Sequence, residues 1–517
     1  MKNNRYKNYG PFVFFMIIAL VFMGCSDLEE EVYSEETEDN FFQNADQVMS
    51  AYVLPYSFMQ THVYQVHFAL QELPTDEVVA PTRNGYEDQD GQWVRLHRHT
   101  WTSSDLWIKL EWDNLFQAIG YSNYFLEVIK DKDFSGMDLP VSVEQMEAEI
   151  KMVRALHYYW ALSSFGNIPI VEQVGDPNPE TKSSAEVFAF IEKEIKENIP
   201  KLAEKGNSGW YGRFTKSAAQ ALLAKLYLNA EVFTGTPRWE DCITACNTIM
   251  NADFTLDATW DAPFMINNEN SDENIFVVPF DANNAAQFNF VQQNLHEEIL
   301  FNKYNVSYYG WHKFSSQESF FNLYGSNDFR IDQWVVGLQS YIDENGDEQP
   351  IWSWIDGQMN ITPEITALQS NDTGWEEGAM NIKYEVEVGG LENMSNDMVI
   401  FRLADIMLMK AESLMRLNSG IASQEAVELV NEVRSRSFAP DDPEAQYNTS
   451  NLTLDELLDE RGRELSYEMH RREDFIRFDK YTEPWWEKAE SEKYRELYPI
   501  PFDVITANPA LEQNPGY

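Results

Sequence analysis

The sequence predicts a mainly α-helical fold, in which paired helices form a scaffold and long irregular segments project from it. Apolar residues recur at the three- and four-residue spacing of amphipathic helices, most clearly in 213–233 and 402–417. Two other stretches, about 60–110 and 252–400, are rich in Gly, Asn, Asp, Pro and aromatic residues and lack that period. Hydrophobic residues make up 44% of the 517 residues, which is enough to build a large core.

The helical scaffold is expected over about 41–60, 111–250 and 400–517. Ser423 is a candidate N-cap, and Gly420 is expected to end the helix before it. Short connections between successive helices indicate a scaffold of α-hairpins, although no 34-residue repeat consensus occurs. Further helices are predicted at 44–59, 111–130, 143–165, 184–198, 239–250, 424–436 and 454–478.

The charge balance excludes some partners. The chain has 85 acidic and 38 basic side chains, a formal net charge of −47. Nucleic acids and anionic membrane surfaces are bound by clustered Lys and Arg, so neither is an expected partner. The same acidity favours neutral over anionic ligands. Three cysteines cannot form a disulfide framework.

The N-terminus predicts export. Basic residues at 2, 5 and 7 precede the uncharged, mostly apolar run 11–24, which is shorter than the roughly 20 residues of a membrane span. Residues 1–24 are therefore expected to be a signal peptide. Gly24 followed by Cys25 resembles a bacterial lipobox, so Cys25 is the predicted lipid-attachment residue, and acyl chains would anchor the protein in a membrane.

Residues 25–40 are predicted to form an acidic tether. They hold eight Asp and Glu residues and no Lys or Arg, a composition typical of solvated, extended chain. The stretch also resembles the surface-export signal of Bacteroidetes lipoproteins. No later apolar run reaches 18 residues, and residues 41–517 are expected to form a single domain.

Motifs of catalytic or metal sites are missing from the sequence. Neither H-E-x-x-H, G-x-S-x-G nor a phosphate-binding loop occurs. His97 and His99 are expected on one face of a strand, but two ligands are too few for a metal site. Cys242 and Cys246 are interpreted as buried thiols on a helix. No metal or cofactor is predicted, and a structural calcium ion is not recognisable from the sequence.

One row of carboxylates has two interpretations. Glu460, Glu464 and Glu468 follow one another at four-residue spacing and could imitate the acid pair of a glycosidase. Four arginines lie among and just after them, so a structural salt-bridge lattice is favoured.

Aromatic residues are concentrated in one irregular stretch. Residues 301–355 hold 14 of them in 55 positions. A flat ring covers the apolar face of a sugar, while Asp, Asn and Arg bond its hydroxyl edges. Most of the rings are nevertheless expected in the core, because each buries a large area.

A series of segments, in order along the chain, resembles motifs of the SusD/RagB family. RALHYYWALSSFGNIPIV (154–171) resembles its helix followed by "yGdvP", and the C-terminal YPIPFDVITANPALEQNPGY resembles "l.PIP..ei..Np.l.QNpGY". The segments QELPTDEVVAPTR and GQWVRLHRHTW resemble a common subgroup. The other matching segments are GRFTKSAAQALLAKLYL (212–228), FRLADIMLMKAESL (401–414), VNEVRSR (430–436) and ERGRELSYEMHRREDFIRF (460–478).

This resemblance implies a fold and a function. Members of the family are outer-membrane lipoproteins with a TPR-like helical scaffold, exposed at the cell surface. They capture oligosaccharides, or in some members peptides, act as lids on SusC-like TonB-dependent transporters, and have no catalytic residues. The chain is therefore expected to capture oligosaccharide or polysaccharide for such a transporter. A peptide-capturing lid of the same family and a secreted glycoside hydrolase remain as alternatives.

The resemblance also helps to select site residues. Trp311, Tyr309 and Tyr308 surround Gly310, in a segment that resembles the Gly-Trp segment lining the family's site. Trp93 is a further candidate, and Asp76 and Arg83 are the polar candidates, with an internal salt bridge as the alternative. Met380 and Leu403 replace an Arg and a Tyr common in the family, so the glycan preference of relatives is not carried over.

Overall fold

The structure is a computed structural model that describes residues 42–517, except 86–87, 131, 176–177, 208, 286–287 and 356. The predicted signal peptide, Cys25 and the acidic tether lie outside the described residues. Contacts divide the chain into two compact units, residues 1–49 and 50–517. The described part of the first unit holds the start of helix Ala45–His62, and the other features below belong to the second.

Seventeen α-helices lie in the described part of the chain, and none of these is long and apolar enough to cross a bilayer. A π-helical turn, Val63–His67, joins the first two. The α-helices are α1 Ala45–His62, α2 Phe68–Glu72, α3 Gln92–His97, α4 Leu106–Lys130, α5 Val143–Phe165, α6 Ser184–Asn198, α7 Lys216–Leu228, α8 Ala230–Thr234, α9 Trp239–Met250, α10 Phe290–Asn294, α11 Glu297–Lys303, α12 Glu318–Phe321, α13 Leu403–Leu417, α14 Gln424–Ser435, α15 Leu454–Leu465, α16 Arg471–Arg477 and α17 Phe502–Ala507.

The long helices pack side by side as a scaffold. Helix α5 contacts both α4 and α6, α9 contacts α7 and α13, and α13 continues the row onto α14 and α15. Small side chains allow close packing in α7, where Ala218, Ala221 and Ala224 are fully buried. The predicted fold class, a mainly α scaffold of helical hairpins with irregular excursions, is confirmed.

Side-chain caps explain where the scaffold helices begin. Each capping hydroxyl accepts the backbone N–H of the residue three positions later, which satisfies a donor that the first turn leaves unpaired. Ser423 caps α14 in this way, as predicted. Gly420, with φ +84°, lies just beyond the end of α13 in the left-handed conformation that favours glycine. The other capping residues are Ser142, Ser183, Thr215 and Thr453.

The described strands are short and pair only in twos, all antiparallel. The longest pair joins β4 to β12, with Val277 opposite Val399, and β12 runs directly into α13. This pair ties the excursion 252–400 to the scaffold at both of its ends. The strands are β1 Val78–Val79, β2 Ile168–Pro169, β3 Thr181–Lys182, β4 Asn274–Val278, β5 Ser315–Ser316, β6 Trp334–Val335, β7 Gly337–Leu338, β8 Ser340–Ile342, β9 Glu348–Pro350, β10 Asn360–Ile361, β11 Met380–Asn381 and β12 Met398–Arg402.

A buried lattice of ion pairs surrounds α15. Glu464 accepts from Arg402 and Arg436 at 2.8 Å and from Arg330 at 2.9 Å, and all four side chains are buried. Burial opposes the ionisation of Glu460, but Arg330, Arg463 and Arg434 outweigh it and lower the pKa of Glu460 to about 2. The salt-bridge interpretation of Glu460, Glu464 and Glu468 is therefore confirmed. The other ion pairs of the lattice are Arg330–Asp328, Arg330–Glu460, Arg402–Glu273, Arg402–Glu468, Arg434–Glu460, Arg436–Glu273, Arg463–Glu460 and Lys383–Glu468.

The expected helix 454–478 is wrong in its middle. The chain leaves the helical conformation between α15 and α16, where Tyr467 and Met469 have φ of 61° and 65°. Tertiary bonds replace the helical ones there: the Tyr467 N–H donates to Glu77 Oε1 at 2.6 Å, and Lys383 Nζ donates to the Ser466 carbonyl at 2.8 Å. No Gly or Pro marks this break at 466–470, so local sequence could not predict it.

The stretch 60–110 is less irregular than expected. It contains the end of α1, the π-turn, α2 and α3, and His97 ends α3 instead of lying on a strand with His99. Trp93, Leu96 and His97 are buried at helical spacing, but six residues are too few for the period to be recognised. His97 Nε2 lies 2.7 Å from the Trp486 carbonyl, so its role is structural.

Candidate functional site

A cavity of about 460 Å³ lies between the excursions. Its volume is within the range of about 300–1,000 Å³ that is usual for small-molecule sites. It contains three of the six side chains predicted to bind glycan. Its lining residues are Ala80, Pro81, Thr82, Arg83, Trp93, Val94, His296, Glu297, Gly310, Trp311, His312, Lys313, Trp354 and Trp375.

A strand pair brings two walls of the cavity together. Strands β1 and β5 are antiparallel, with Val79 opposite Ser315, so residues 80–83 after β1 run beside residues 310–313 before β5. Residues 293–297 form a third wall, which backbone hydrogen bonds join to residues 310–313. The His312 N–H donates to the Leu295 carbonyl, and the Lys313 N–H donates to the Gln293 carbonyl. The cavity is thus built from chain segments far apart in sequence.

Arg83 holds these segments in place. Its guanidinium donates to the carbonyls of His312, Gly374 and Glu377 and to Ser315 Oγ, at 2.7 to 3.3 Å. Burial lowers the pKa of Arg83 to about 9, against the attraction of Glu377, so the side chain is charged at neutral pH. Arg83 lines the cavity, but its guanidinium is bonded to carbonyl groups and Ser315 and not to Asp76, and its glycan-binding role stays a prediction.

Gly310 is required by close packing. A Cβ at this position would lie 2.1 Å from the Leu295 carbonyl oxygen and 2.9 Å from the Glu297 nitrogen. Gly310 has no positive φ, so the reason for glycine here is the close approach of two backbone segments.

Trp311 presents an open ring at the cavity. Its side chain is 47% exposed, and the Tyr308 ring lies 6.4 Å from it, centroid to centroid. Tyr309 is 65% exposed and packs edge-on against Phe301, but it does not line the cavity. The predicted cluster therefore supplies one lining indole, with two tyrosines beside it.

Trp354 provides a second open indole. It is 52% exposed, its ring lies 4.3 Å from that of His296, and its N–H donates to Glu298 Oε1 at 3.1 Å. Trp375 lies edge-on to it at 6.4 Å and also lines the cavity. The sequence analysis did not select either residue for the site, although Trp375 lies in a Gly-containing turn, TGWEEG, which is a signal for an exposed ring.

Trp93 lies at the inner wall of the cavity. It is 2% exposed and packs against Trp107 at 4.4 Å, so it cannot act as an open platform. Lys313 Nζ lies 5.2 Å from the Trp93 ring centroid, a cation–π distance. Helix α3 turns this side chain into the core, and the glycan-binding role of Trp93 stays a prediction.

Polar groups accompany the rings. The hydroxyl of Thr82 is buried and has no hydrogen-bond partner among the described residues. Burial lowers the pKa of His296 to about 4, so its ring is neutral at pH 7. Its Nδ1 accepts the Glu298 N–H at 3.2 Å, which leaves the Nε2–H group as a donor. Glu297 is the single carboxylate among the lining residues of the described chain.

Asp76 does not belong to this site. Its two carboxylate oxygens accept from Arg471 at 2.8 and 2.9 Å, and it borders a separate depression beside α15 and α16. The internal salt bridge considered for Asp76 is thus the one observed, with a partner 395 residues away in sequence.

Two family profiles match the chain. The profile described as "SusD family" matches residues 257–517, just over half of the chain. A profile described as "Starch-binding associating with outer membrane" matches residues 26–228.

Several known proteins are similar over most of their length. The starch-binding protein SusD of Bacteroides thetaiotaomicron is 25% identical over 516 aligned residues, which cover 88% of this chain and 86% of that protein. A laminarin-binding SusD-like protein superposes with a TM-score of 0.69 at 22% identity, over 92% of this chain and all of the other.

A further structure is surface glycan-binding protein A from Bacteroides thetaiotaomicron in complex with laminarihexaose. It has a TM-score of 0.68 and 17% identity, and the match covers 91% of this chain and 99% of that one. At these identities, the structural matches show the shared fold. Together with the profile that spans residues 257–517, they establish that the chain belongs to the SusD family.

Proposed function

We propose that this protein is a cell-surface lipoprotein that captures oligosaccharides or polysaccharide in the cavity beside Trp311 and passes them to a SusC-like TonB-dependent transporter of the outer membrane. The observation that carries the proposal is the pair of open indoles, Trp311 and Trp354, at one cavity with hydrogen-bonding groups beside them. Sugars need both kinds of surface, a flat apolar one for the ring face and polar groups for the hydroxyls.

The relatives support the ligand class. One is named a starch-binding protein, another a laminarin-binding protein, and a third is a complex with laminarihexaose. The predicted lipid at Cys25, the acidic tether and the profile described as associating with the outer membrane support the location. The transporter is proposed from the family resemblance.

Binding without catalysis fits the lining groups. A glycosidase needs two carboxyl groups on either side of the scissile bond, about 5 to 9.5 Å apart. The cavity has Glu297 alone among its described lining residues, and the acids of α15 are engaged by arginines. We therefore propose that the protein has no catalytic residues.

Calorimetric titration with soluble polysaccharides tests the proposal. We expect Trp311→Ala to weaken binding by about 1–3 kcal/mol, because an aromatic anchor at a binding site loses this much when truncated. Trp352→Ala is the matched control: Trp352 is 63% exposed but does not line the cavity, so its variant should bind normally.

Three results would contradict the proposal. Unchanged affinity of a folded Trp311→Ala protein would remove the cavity from the binding site. Binding of peptides and of no polysaccharide would favour the peptide-capturing alternative. Release of reducing sugar by the purified protein, abolished by one Glu or Asp substitution, would favour a glycoside hydrolase.

A further inference from the structure

A buried cluster of three side chains lies outside the candidate site. His62, His67 and Glu111 are 1%, 3% and 0% exposed, and none of them lines the cavity beside Trp311. His62 ends α1, His67 ends the π-turn, and Glu111 lies in α4. The cluster therefore joins the first helical segment of the second unit to the scaffold.

The π-turn is what aligns the two histidines. In an α-helix, residues five apart point about 140° away from each other, because successive residues are turned by about 100°. A π-turn closes its hydrogen bonds between residues five apart, so side chains at that spacing lie one above the other. The two imidazole centroids are 5.4 Å apart and both rings face Glu111. Single π-turns inside helices are often found at functional sites.

The three side chains offer converging donor atoms. His62 Nε2 lies 2.6 Å from Glu111 Oε2, and His67 Nδ1 lies 2.7 Å from Glu111 Oε1. One donor atom from each residue can be chosen so that all lie within 4.8 Å of one another. Tetrahedral zinc with bonds of 2.0 to 2.2 Å keeps its ligand atoms roughly 3.3 Å apart, so an opening of well under 1 Å per contact would admit the ion.

The charge of Glu111 is poorly compensated. No Lys or Arg side chain of the described residues reaches ion-pair distance of this buried carboxylate. A buried carboxylate requires a cation beside it, and the nearest basic groups are imidazoles, which bind metal ions in their neutral form.

Two ring nitrogens nearby lack partners. His62 Nδ1 and His157 Nε2 are buried and unpaired among the described residues. The Trp160 ring contacts His62, His67 and His157, with centroids 4.7 to 5.8 Å away, so all three imidazoles surround one indole. His157 Nδ1 lies 2.7 Å from the Val153 carbonyl, which leaves Nε2 as a nitrogen with a free lone pair. A neutral imidazole nitrogen with a free lone pair is the form in which histidine binds metal ions.

We propose that His62 Nε2, His67 Nδ1 and the Glu111 carboxylate bind a divalent transition-metal ion of the zinc class. Two imidazoles and a carboxylate suit Zn²⁺, Co²⁺, Ni²⁺ or Fe²⁺, whereas Ca²⁺ takes six to eight oxygen ligands. The site is structural: the ion links the α1–π–α2 segment to α4 and neutralises Glu111. It is independent of the glycan cavity and of the function proposed for that cavity.

The metal content of the purified chain tests this proposal. A Cys25→Ala protein is produced with added Zn²⁺ or Co²⁺ and passed over a desalting column with chelator. We expect about one tightly held ion per chain, as for a buried zinc site, and a higher melting temperature than that of protein produced without added metal. The cobalt form should show visible d–d bands without the near-ultraviolet band of a thiolate ligand, which distinguishes the site from Cys242 and Cys246.

Variants locate the ion. His67→Gln should abolish metal retention, while His99→Gln, a matched change at another buried histidine, should retain it. Should His67→Gln fail to fold, the cobalt spectrum of the protein with an intact cluster still decides between nitrogen and thiolate ligands. Absence of metal from a protein whose melting temperature is unaffected by metal or chelator would overturn the proposal, leaving a hydrogen-bonded His–Glu–His cluster.

Discussion

Trp311 and Trp354 leave about half of their surface exposed, whereas the buried rings nearby serve the core. In the aromatic-rich segment 301–355, Phe314, Phe320 and Trp334 are 5% exposed or less. Residue type and segment were readable from the sequence, but the exposure of each ring was not. The exposure of each ring depends on which side of a short loop faces the scaffold, and irregular segments have no periodicity from which this could be predicted.

Gly310→Ala is a test at the residue scale. The added methyl group would lie 2.1 Å from the Leu295 carbonyl oxygen, so segments 295–297 or 310–313 must move. We expect a loss of stability of about 1–3 kcal/mol, the usual cost of overpacking, and at least tenfold weaker glycan binding. Thermal unfolding and calorimetric titration measure the two effects.

Gly120→Ala is the matched control for this change. Gly120 lies inside α4 with open space around its missing Cβ, so the same substitution should stabilise the protein by about 0.5–1 kcal/mol. Equal stability of the two variants would show that the contact with Leu295 does not constrain residue 310.

Glu77→Gln tests the pH dependence of a buried carboxyl group. Burial raises the pKa of Glu77, and it also raises the pKa of the neighbouring Glu72. A carboxyl group whose pKa is raised on folding stabilises the fold below its unfolded pKa of about 4.3 and loses that contribution as pH rises. We therefore expect the variant to gain stability over the unmodified protein between pH 5 and pH 8. Parallel urea-unfolding midpoints across that range would contradict this.

At the scale of elements, the ion lattice explains how the excursion is attached to the scaffold. Arg330 and Arg402 come from the excursion and its last strand, Arg436 follows α14, and all three donate to Glu464 of α15. The family motifs around 401–414 and 460–478 therefore encode a shared electrostatic core. The charged side chains of these motifs form ion pairs inside the protein. The spacing of the residues indicated such pairs, but only the structure shows which residues are partners.

Glu464→Gln should disturb that core strongly. The amide places an N–H₂ against guanidinium groups and leaves buried charge unpaired, so we expect a loss of about 3–5 kcal/mol. Glu432→Gln, at an exposed position of α14, should change stability by less than about 0.5 kcal/mol. Urea unfolding measures both, and similar midpoints would mean that the lattice contributes no net stability.

Helix prediction succeeded where the ends have local signals. Bounds such as 143–165, 184–198 and 239–250 agree with the structure because each helix has a long apolar face, and serine caps begin the first two. The break between α15 and α16 and the six-residue α3 were missed. The first is caused by bonds from Glu77 and Lys383, and the second is too short for its period to be detected.

At the scale of the whole molecule, the strong negative charge does not extend to the candidate site. The chain has a net charge of −47, yet the described residues that line the cavity include Arg83 and Lys313 and one carboxylate, Glu297. The preference for neutral ligands, which was inferred from the net charge of the whole chain, stays a prediction. Eight of the acids belong to residues 25–40, which the sequence predicts to be a tether.

Cys25→Ala tests the proposed anchor. Without the thiol there is no site for the lipid, so we expect the protein to move from the outer-membrane fraction to the soluble fraction. Immunoblots of fractionated cells measure this. Continued fractionation with the outer membrane would contradict lipidation at Cys25 or indicate that a partner retains the protein there.

By itself, the sequence determined the helical scaffold, the family resemblance and the segments from which the cavity is built. These properties depend on local periodicity, capping residues and ordered motifs. Only the tertiary structure decided which side chains meet: Arg83 with three carbonyl groups, Asp76 with Arg471, and His62 and His67 with Glu111. Each of these contacts joins backbone segments that are far apart in sequence. Burial of the contacting side chains then shifts the pKa values of their ionisable groups, which sequence alone does not show.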